Sequence, residues 1–238
     1  MTGSSRGIGL AVAREFAAEG ARVCLNGRDA DALEAARAQV GDLAVAVAGD
    51  VAAADEAARV VADAARELGG LDIVVANVGS GRGSADDTPG ADEWARLLEV
   101  NLMTAVHVCE AALGAMDGGS IVVTGSIAGT NSLPAPLPYG VAKAALVRYT
   151  RDLARRVASR GVRVNLVAPG NVLAQGGTWE AKLEENRATV ESYIEAEVPM
   201  NRFATAEEVA SAVVFLASER SSFTTGACLV VDGGQSRD

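Results

Sequence analysis

Tyr139 and Lys143 stand four residues apart in Tyr139-Gly140-Val141-Ala142-Lys143, so on a helix a phenol and an ammonium share one face. An ammonium beside a phenol favours the phenolate and draws the phenol's pKa down from about 10. That makes the tyrosine usable as a general acid or base. Lys143 is one of only two lysines against nineteen arginines, a usage that marks it as placed for a purpose. The plain alternative is a surface lysine near a buried tyrosine. Ser126 shifts that balance. It follows the apolar run at 120–125, where a serine can donate a hydrogen bond to a carbonyl oxygen. The connection from Ile127 to Tyr139 is stiffened by Pro134, Pro136 and Pro138.

A second cluster opens the chain. Thr2-Gly3-Ser4-Ser5-Arg6-Gly7-Ile8-Gly9 has glycines at 3, 7 and 9, in the pattern GxxxGxG, and runs into a helical segment. Glycine permits positive φ and lets backbone N–H groups approach a pyrophosphate, at which the helix also directs its positive end. Thr2, Ser4 and Ser5 add hydroxyl donors. The plain alternative is an ordinary helix-capping loop. An acid at the end of the second strand would bind the ribose 2′-hydroxyl of NAD. By position that residue is Gly27, which cannot. Arg28 follows, Arg6 lies in the turn, and guanidinium groups suit a 2′-phosphate. These residues favour NADP(H), with NAD(H) the outcome if Asp29 reaches the ribose instead of capping a helix.

The elements that must position these groups alternate along the whole chain. Strands are expected at 21–26, 43–48, 71–76, 120–125, 162–168 and 227–231. Helices are expected at 7–19, 29–40, 52–68, about 92–115, about 137–160, near 179–197 and 205–218. Short apolar strands between helices indicate an α/β fold with a doubly wound parallel sheet, which binds ligands beyond the carboxyl ends of its strands. Two long loops, 78–91 and 169–178, follow strand ends and suit a binding role. The 238 residues form one domain, 1–238, with a substrate lid at about 171–204.

Composition narrows the function. The formal charge of −10 argues against nucleic acid as a partner. No apolar run approaches the roughly 18 residues of a membrane span, and no secretory leader is visible, so a cytoplasmic protein without a membrane partner is expected. Cys24, Cys109 and Cys228 are far apart and read as reduced, buried thiols. His107 is the only histidine, which excludes multi-histidine metal sites; it lies in an apolar helical stretch and reads as structural, and no metal is expected.

With these residues in place the chain resembles the short-chain dehydrogenase/reductase family, most of all its 3-oxoacyl-carrier-protein reductase branch. The matches are TGSSRGIG at 2–9, Asp50-Val51, Ala76-Asn77-Val78-Gly79, Asn101, Ser126, YGVAK at 139–143, Ala168-Pro169-Gly170 and Val230-Val231-Asp232-Gly233-Gly234, in family order over the whole chain. The resemblance implies a Rossmann fold and hydride transfer between a nicotinamide and a ketone or secondary alcohol. Tyr139 would pass the proton, Ser126 hold the substrate oxygen, Lys143 grip the nicotinamide ribose, and Asn101 position a water in the relay. Cofactor contacts would come from Gly3, Ser5, Arg6, Gly7, Ile8, Gly9, Arg28, Asp50, Val51, Asn77, Gly79, Tyr139, Lys143, Pro169, Gly170 and Val172. A homotetramer or dimer is implied as well. Two departures stand out: Val78 replaces the family's usual alanine, and the threonine expected four residues after Pro-Gly is Leu173 or Ala174, leaving Thr178 as the nearest. Trp179 reads equally as a substrate wall or a lid anchor. The rival functions are a cofactor-binding regulatory protein or an inactive truncated paralogue on the same fold.

The position of the turn poses a separate problem. The strand before it should lie mid-sheet, between those at 21–26 and 71–76, and only Met1 precedes it. A strand is about 5–6 residues. The expectation is that the true start lies upstream; the alternative is a sheet repaired by another segment.

Overall fold

Short runs of Val, Ala, Leu and Ile make the strands, and each but the last is followed by a helix. A computed structural model describes residues 1–84 and 86–237, so Ala85 of the 78–91 loop lies outside the described residues. The strands are β1 (Val23–Gly27), β2 (Ala44–Ala48), β3 (Ile73–Ala76), β4 (Gly119–Thr124), β5 (Val162–Pro169) and β6 (Cys228–Val231). The helices are α1 (Gly7–Ala18), α2 (Ala30–Val40), α3 (Ala54–Leu68), α4 (Ala91–Leu98), α5 (Thr104–Ala115), α6 (Leu137–Val157), α7 (Thr178–Glu197) and α8 (Ala206–Ala217). Every strand pairing is parallel.

Successive residues of a strand face opposite sides, and the two sides carry separate cores. Leu25, Val75, Val122 and Val167 pack under α1 and α8, against Val12, Phe16, Val209 and Val213. Val74, Ile121, Val123 and Leu166 pack on the other side under α3, α5 and α6, against Val60, Val108 and Leu146. This is the doubly wound single domain expected, with boundaries within a few residues of the expected ones.

Three features depart from regularity. The helix expected over 92–115 is continuous but contains a π-helical turn, Glu99–Met103, between α4 and α5. By length and composition the helix from Ala91 to Ala115 also passes for a membrane span, with a mean hydropathy of 1.3. Leu97, Ala105, Val108, Cys109 and Ala112 are nevertheless buried in the protein core. Within α7, Asn186 leaves helical conformation (φ −155°, ψ 85°), and its Oδ1 accepts from Thr189 N, so the side chain recaps the second half of the helix.

The third departure is in the sheet. It is divided into a β1–β2 ladder and a β3–β4–β5–β6 ladder. Between them lie only Met1 and Thr2. The Met1 amino group donates to Cys24 O (3.0 Å), Asn26 N donates to Met1 O (3.1 Å), and Thr2 N donates to Val75 O (3.0 Å). Among the described residues no other segment enters the gap, so the sheet is not repaired from elsewhere.

Candidate active site

The turn after Met1 is built so that nothing but backbone fits inside it. Gly3 and Gly7 have φ of +58° and +57°, the left-handed region that favours glycine. A Cβ on Gly9 would overlap Gly3 O and lie 2.8 Å from Asn77 Nδ2. Arg6, the residue before α1, provides no side-chain cap, which leaves the first-turn N–H groups to an incoming anion. The hydroxyls divide differently from expectation. Thr2 and Ser4 are buried, and both anchor the turn: Asn77 N donates to Thr2 Oγ1, while Ser4 Oγ donates to Met1 O and accepts from Asn26 N. Only Ser5 of the three lines the cleft. Asn77 closes the turn, donating from Nδ2 to Gly3 O at 3.1 Å.

Arg28 and Asp50 flank the far end of the cleft, 3.6 Å apart and well exposed. Asp50 Oδ1 accepts from Ala52 N in a local turn, and α3 begins later, at Ala54, so Asp50 does not cap that helix. Asp29 does cap α2, accepting from Asp31 N and Ala32 N through Oδ1. The lone histidine donates from Nδ1 to Ala52 O (2.9 Å), tying α5 to this loop and serving the packing.

The opposite end gathers the residues singled out for chemistry. Asn101 sits in the π-helical turn and is fully buried. A π turn shifts backbone pairing and frees the i−4 carbonyl; Asn101 Nδ2 donates to that carbonyl, Leu97 O (3.1 Å), and to Ser80 O (3.0 Å). Asn101 Oδ1 accepts from Ser80 N (2.9 Å). A Cβ on Gly79 would lie 3.0 Å from Asn101 Oδ1 and 3.1 Å from Lys143 Nζ, so these two groups converge on a glycine with no side chain to block them. Ser126 follows β4, accepts from Ala128 N, and lines the cleft together with Tyr139. Lys143 is buried and donates to Thr124 O.

The electrostatics correct one expectation. Burial pushes the Tyr139 phenol up, and the neighbouring Ser126 hydroxyl only partly offsets this. Lys143 does not bring the phenol down. Its ammonium lies 5.9 Å from the centre of the phenol ring and is directed at the Thr124 carbonyl. Desolvation brings Lys143 itself down to about 8. The spacing correctly puts both groups on one face, but it does not show that both leave water, and burial opposes both charges.

The lid expected over 171–204 is clasped at its base. Val172 and Ala204 form a parallel bridge, with Leu173 N donating to Ala204 O and Ala204 N to Asn171 O. Trp179 stacks on Tyr193 (5.3 Å, 20°) and meets Phe203 at 5.4 Å, which ties α7 to the segment before α8; it also lines the cleft. Lys182 Nζ sits 4.6 Å over the Trp179 ring. Both lysines of the chain therefore line the cleft, and the rarity that pointed to Lys143 pointed equally to Lys182. Arg82, Arg96, Thr124 and Ser80 also line it and were not singled out from sequence; loop and strand-end residues carry no periodic signal.

The cleft runs unbroken past all these groups and encloses about 1290 Å³. It contains Gly3, Ser5, Arg6, Gly7, Ile8, Gly9, Arg28, Asp50, Val51, Asn77, Gly79, Ser126, Tyr139, Lys143, Pro169, Gly170 and Val172, while Asn101 lies just behind Gly79. A turn that excludes a Cβ at Gly9, free helix N–H groups and two arginines fit a phosphorylated dinucleotide.

Comparison with known proteins agrees with this geometry. The family model for enoyl-(acyl carrier protein) reductases matches residues 3–236. The chain is 36% identical over 241 residues to 2-(S)-hydroxypropyl-CoM dehydrogenase 3 of Xanthobacter autotrophicus, covering 98% of this chain and 94% of that protein. It is 35% identical over 237 residues to the 3-oxoacyl-[acyl-carrier-protein] reductase FabG of Vibrio cholerae, covering 98% and 95%. Among solved structures, L-sorbose reductase from Gluconobacter frateurii, complexed with NADPH and L-sorbose, superposes with a TM-score of 0.92 at 34% identity, covering 99% of this chain and 94% of that one.

Proposed function

From the premise that the chain belongs to the short-chain dehydrogenase/reductase family, as an NAD(P)-dependent oxidoreductase, we propose that it interconverts a small ketone and its secondary alcohol using NADP(H), with Tyr139 as general acid/base. The observation that carries this reading is that Ser126, Tyr139 and Lys143 together line one end of a cleft whose other end is a phosphate turn.

The cofactor supplies hydride exchange with the carbonyl carbon. The chain's own residues do the rest. Ser126 donates to the substrate oxygen and fixes its position. Tyr139 gives its phenolic proton to that oxygen as negative charge develops there. A phenol held in its protonated form by burial suits the reducing direction, where the acid must arrive with its proton. Lys143 holds the ribose side of the nicotinamide end. Its depressed pKa, about 8, lets it exchange protons near neutrality. Asn101, locked to Ser80 on both sides of its amide, holds the loop at Gly79 open toward Lys143.

NADP(H) is favoured over NAD(H) by four residues. Arg28 and Arg6 line the adenosine side of the cleft. Gly27 offers no acid, and the Asp29 carboxylate is engaged in capping α2. The solved relative with bound NADPH supports the same choice for this chain.

The test is a panel of ketones and alcohols assayed with NADPH and NADH on the protein and on Tyr139→Phe. The variant is expected to bind NADPH as before and to lose carbonyl-dependent oxidation by roughly 10²-fold or more. Undiminished turnover would overturn the assignment of Tyr139. Cofactor binding without turnover of any carbonyl by the unsubstituted protein would favour a regulatory protein instead.

A further inference from the structure

Trp179 and Tyr193 belong to one helix, α7, yet their rings stack at 5.3 Å. An unbroken helix would set the two residues roughly 21 Å apart, at about 1.5 Å per residue. The break at Asn186 therefore turns the second half of α7 back toward the first, and the stack closes the bend. Stacked rings are compatible with centroid separations of about 4.5–7 Å, so stacking alone does not fix where the indole sits.

One polar contact does. Tyr193 Oη accepts from Gln235 Nε2 at 3.0 Å. Gln235 is 3% exposed and comes from the segment after β6. That segment is itself held in place. Gly233 and Gly234 have φ of +64° and +85°, and the turn they make is closed by Asp232, which accepts from Gly234 N through Oδ1 and from Ser236 N through Oδ2. Met200 N, beyond the end of α7, donates to Gly233 O at 3.2 Å. On the other side, a Cβ on Gly170 would lie 2.8 Å from Asp232 Cβ and 3.2 Å from Gln235 Oε1, so the segment rests directly on the chain leaving β5.

Packing alone does not favour a glutamine at this position. Gln235 Oε1 is buried with no hydrogen-bond partner among the described residues, and a buried unmatched acceptor is costly. An apolar side chain of similar size would avoid that cost, but it could not donate to Tyr193.

We propose that Gln235 is a positioning residue for the substrate end of the cleft. It holds Tyr193, Tyr193 holds Trp179, and Trp179 forms the wall against which a ketone's larger substituent packs; this rests on the ketone-reductase reading above. Trp179 and Tyr193 line the cleft, together with the apolar Val190, Leu133 and Pro134, and Gln235 stands behind them. The wall stands close to the proton-transfer group. A Cβ on Gly81 would lie 4.0 Å from Tyr139 Cζ and 3.9 Å from Thr178 Oγ1, and Thr178 is the residue before Trp179. A substituent on a carbonyl held at Tyr139 thus extends toward the start of α7, and the lean of the indole decides how wide that substituent can be.

The experiment uses the full chain carrying Trp94→Phe, which leaves Trp179 as its one tryptophan. To it are added Gln235→Leu, Tyr193→Phe, and both together. Acrylamide quenching of Trp179 fluorescence is expected to rise about 2-fold in each single variant and no further in the pair, because both changes remove the same contact. At saturating NADPH, Gln235→Leu is expected to raise the KM for acetophenone about 10-fold, the scale of one hydrogen bond, and the KM for acetone by less than about 2-fold. A purely structural Gln235 would lower Tm and leave both the quenching and the ratio of the two KM values unchanged, which would overturn the proposal. Additive quenching in the pair would overturn it as well, since the two residues would then act separately. Quenching needs no substrate, so it decides the link from Gln235 to Trp179 even if the protein reduces no ketone, a result that would overturn the ketone-reductase reading and with it the role of the wall.

Discussion

Lys143 Nζ donates to the backbone carbonyl of Thr124 at 3.0 Å, pinning the first turns of α6 to the end of β4. One hydrogen bond thereby sets the distance between the strand that carries Ser126 and the helix that carries Tyr139. The ammonium that makes it is withdrawn from water, and its pKa falls from 10.5 to about 8.

This shift predicts how stability depends on pH. The unfolded chain keeps the Lys143 proton up to about 10.4, whereas the folded protein releases it near 8. Between those values the unfolded state binds more protons, so folding stability rises with pH across that window. Below 8 both states are charged and the folded protein bears the full cost of burying the charge. Lys143→Met removes the titration. In denaturant unfolding at pH 7 and 10.5, the stability of the protein relative to Lys143→Met is expected to rise by on the order of 3 kcal/mol. A difference that stays flat across this range would show that Lys143 keeps its ordinary pKa.

Much of this site could be read from sequence because its residues sit at the ends of periodic elements. The apolar runs fixed where β3, β4 and β5 stop, and Asn77, Ser126 and Pro169 follow from that. The reading failed where burial or backbone irregularity decides. Thr2 and Ser4 look like phosphate donors in a string of small polar residues, yet their positions beside Val75 and Asn26 turn them inward to anchor the turn. The π-helical turn around Asn101 interrupts neither the hydrophobic period nor the helix, so its sequence looks like uninterrupted helix. The upward shift of Tyr139 follows from its burial, which no four-residue spacing reports.

The proposed preference for NADP(H) rests on Arg28. It is well exposed, and its one ion pair among the described residues, with Asp50, is long at 3.6 Å, so the guanidinium can turn to a 2′-phosphate at little cost. A hydrogen bond to a charged group is worth roughly 1.5–3 kcal/mol. Arg28→Ala is therefore expected to weaken NADPH binding about 10- to 100-fold and to leave NADH within about 3-fold, as read by fluorescence titration of both cofactors. Equal losses for the two cofactors would place Arg28 away from the 2′-phosphate.

Gly9 tests the turn. A Cβ there would overlap the Gly3 carbonyl and crowd Asn77 Nδ2, both of which belong to the anchoring network. The backbone at Gly9 is ordinary helix, so the whole effect of Gly9→Ala comes from contact and none from conformational strain. The substitution is expected to abolish measurable NADPH binding and to destabilise the fold by roughly 1–3 kcal/mol, the usual cost of overpacking. Gly114→Ala, inside α5 with no neighbour within 4 Å of the added Cβ, controls for a glycine-to-alanine change in a helix in general. Retained cofactor affinity in Gly9→Ala would show that the turn opens away from Asn77.

Glu180 governs the loop that replaces the missing threonine. Leu173 or Ala174 stands where that threonine was expected, and the segment 174–177 lies across the phosphate turn: a Cβ on Gly7 would sit 3.7 Å from Ala174 Cβ, and one on Gly176 3.0 Å from Arg6 Nη1. Gly176 adopts φ of +70° and donates its N–H to Glu180 Oε2 at 2.6 Å, so a carboxylate in the first turn of α7 holds the tip of the loop over Arg6 and Gly7. Loosening that tip should cost cofactor affinity and leave the proton-transfer groups in place, because Ser126, Tyr139 and Lys143 belong to other elements. Glu180→Ala is expected to raise the NADPH KM about 10-fold, the scale of one charge-assisted hydrogen bond, with kcat at saturating cofactor within about 2-fold. Glu180→Gln retains an acceptor and should recover most of the affinity. A merely structural role would instead lower Tm in both variants without separating KM from kcat, and equal KM values for Ala and Gln would show that the Gly176 contact does not hold the cofactor.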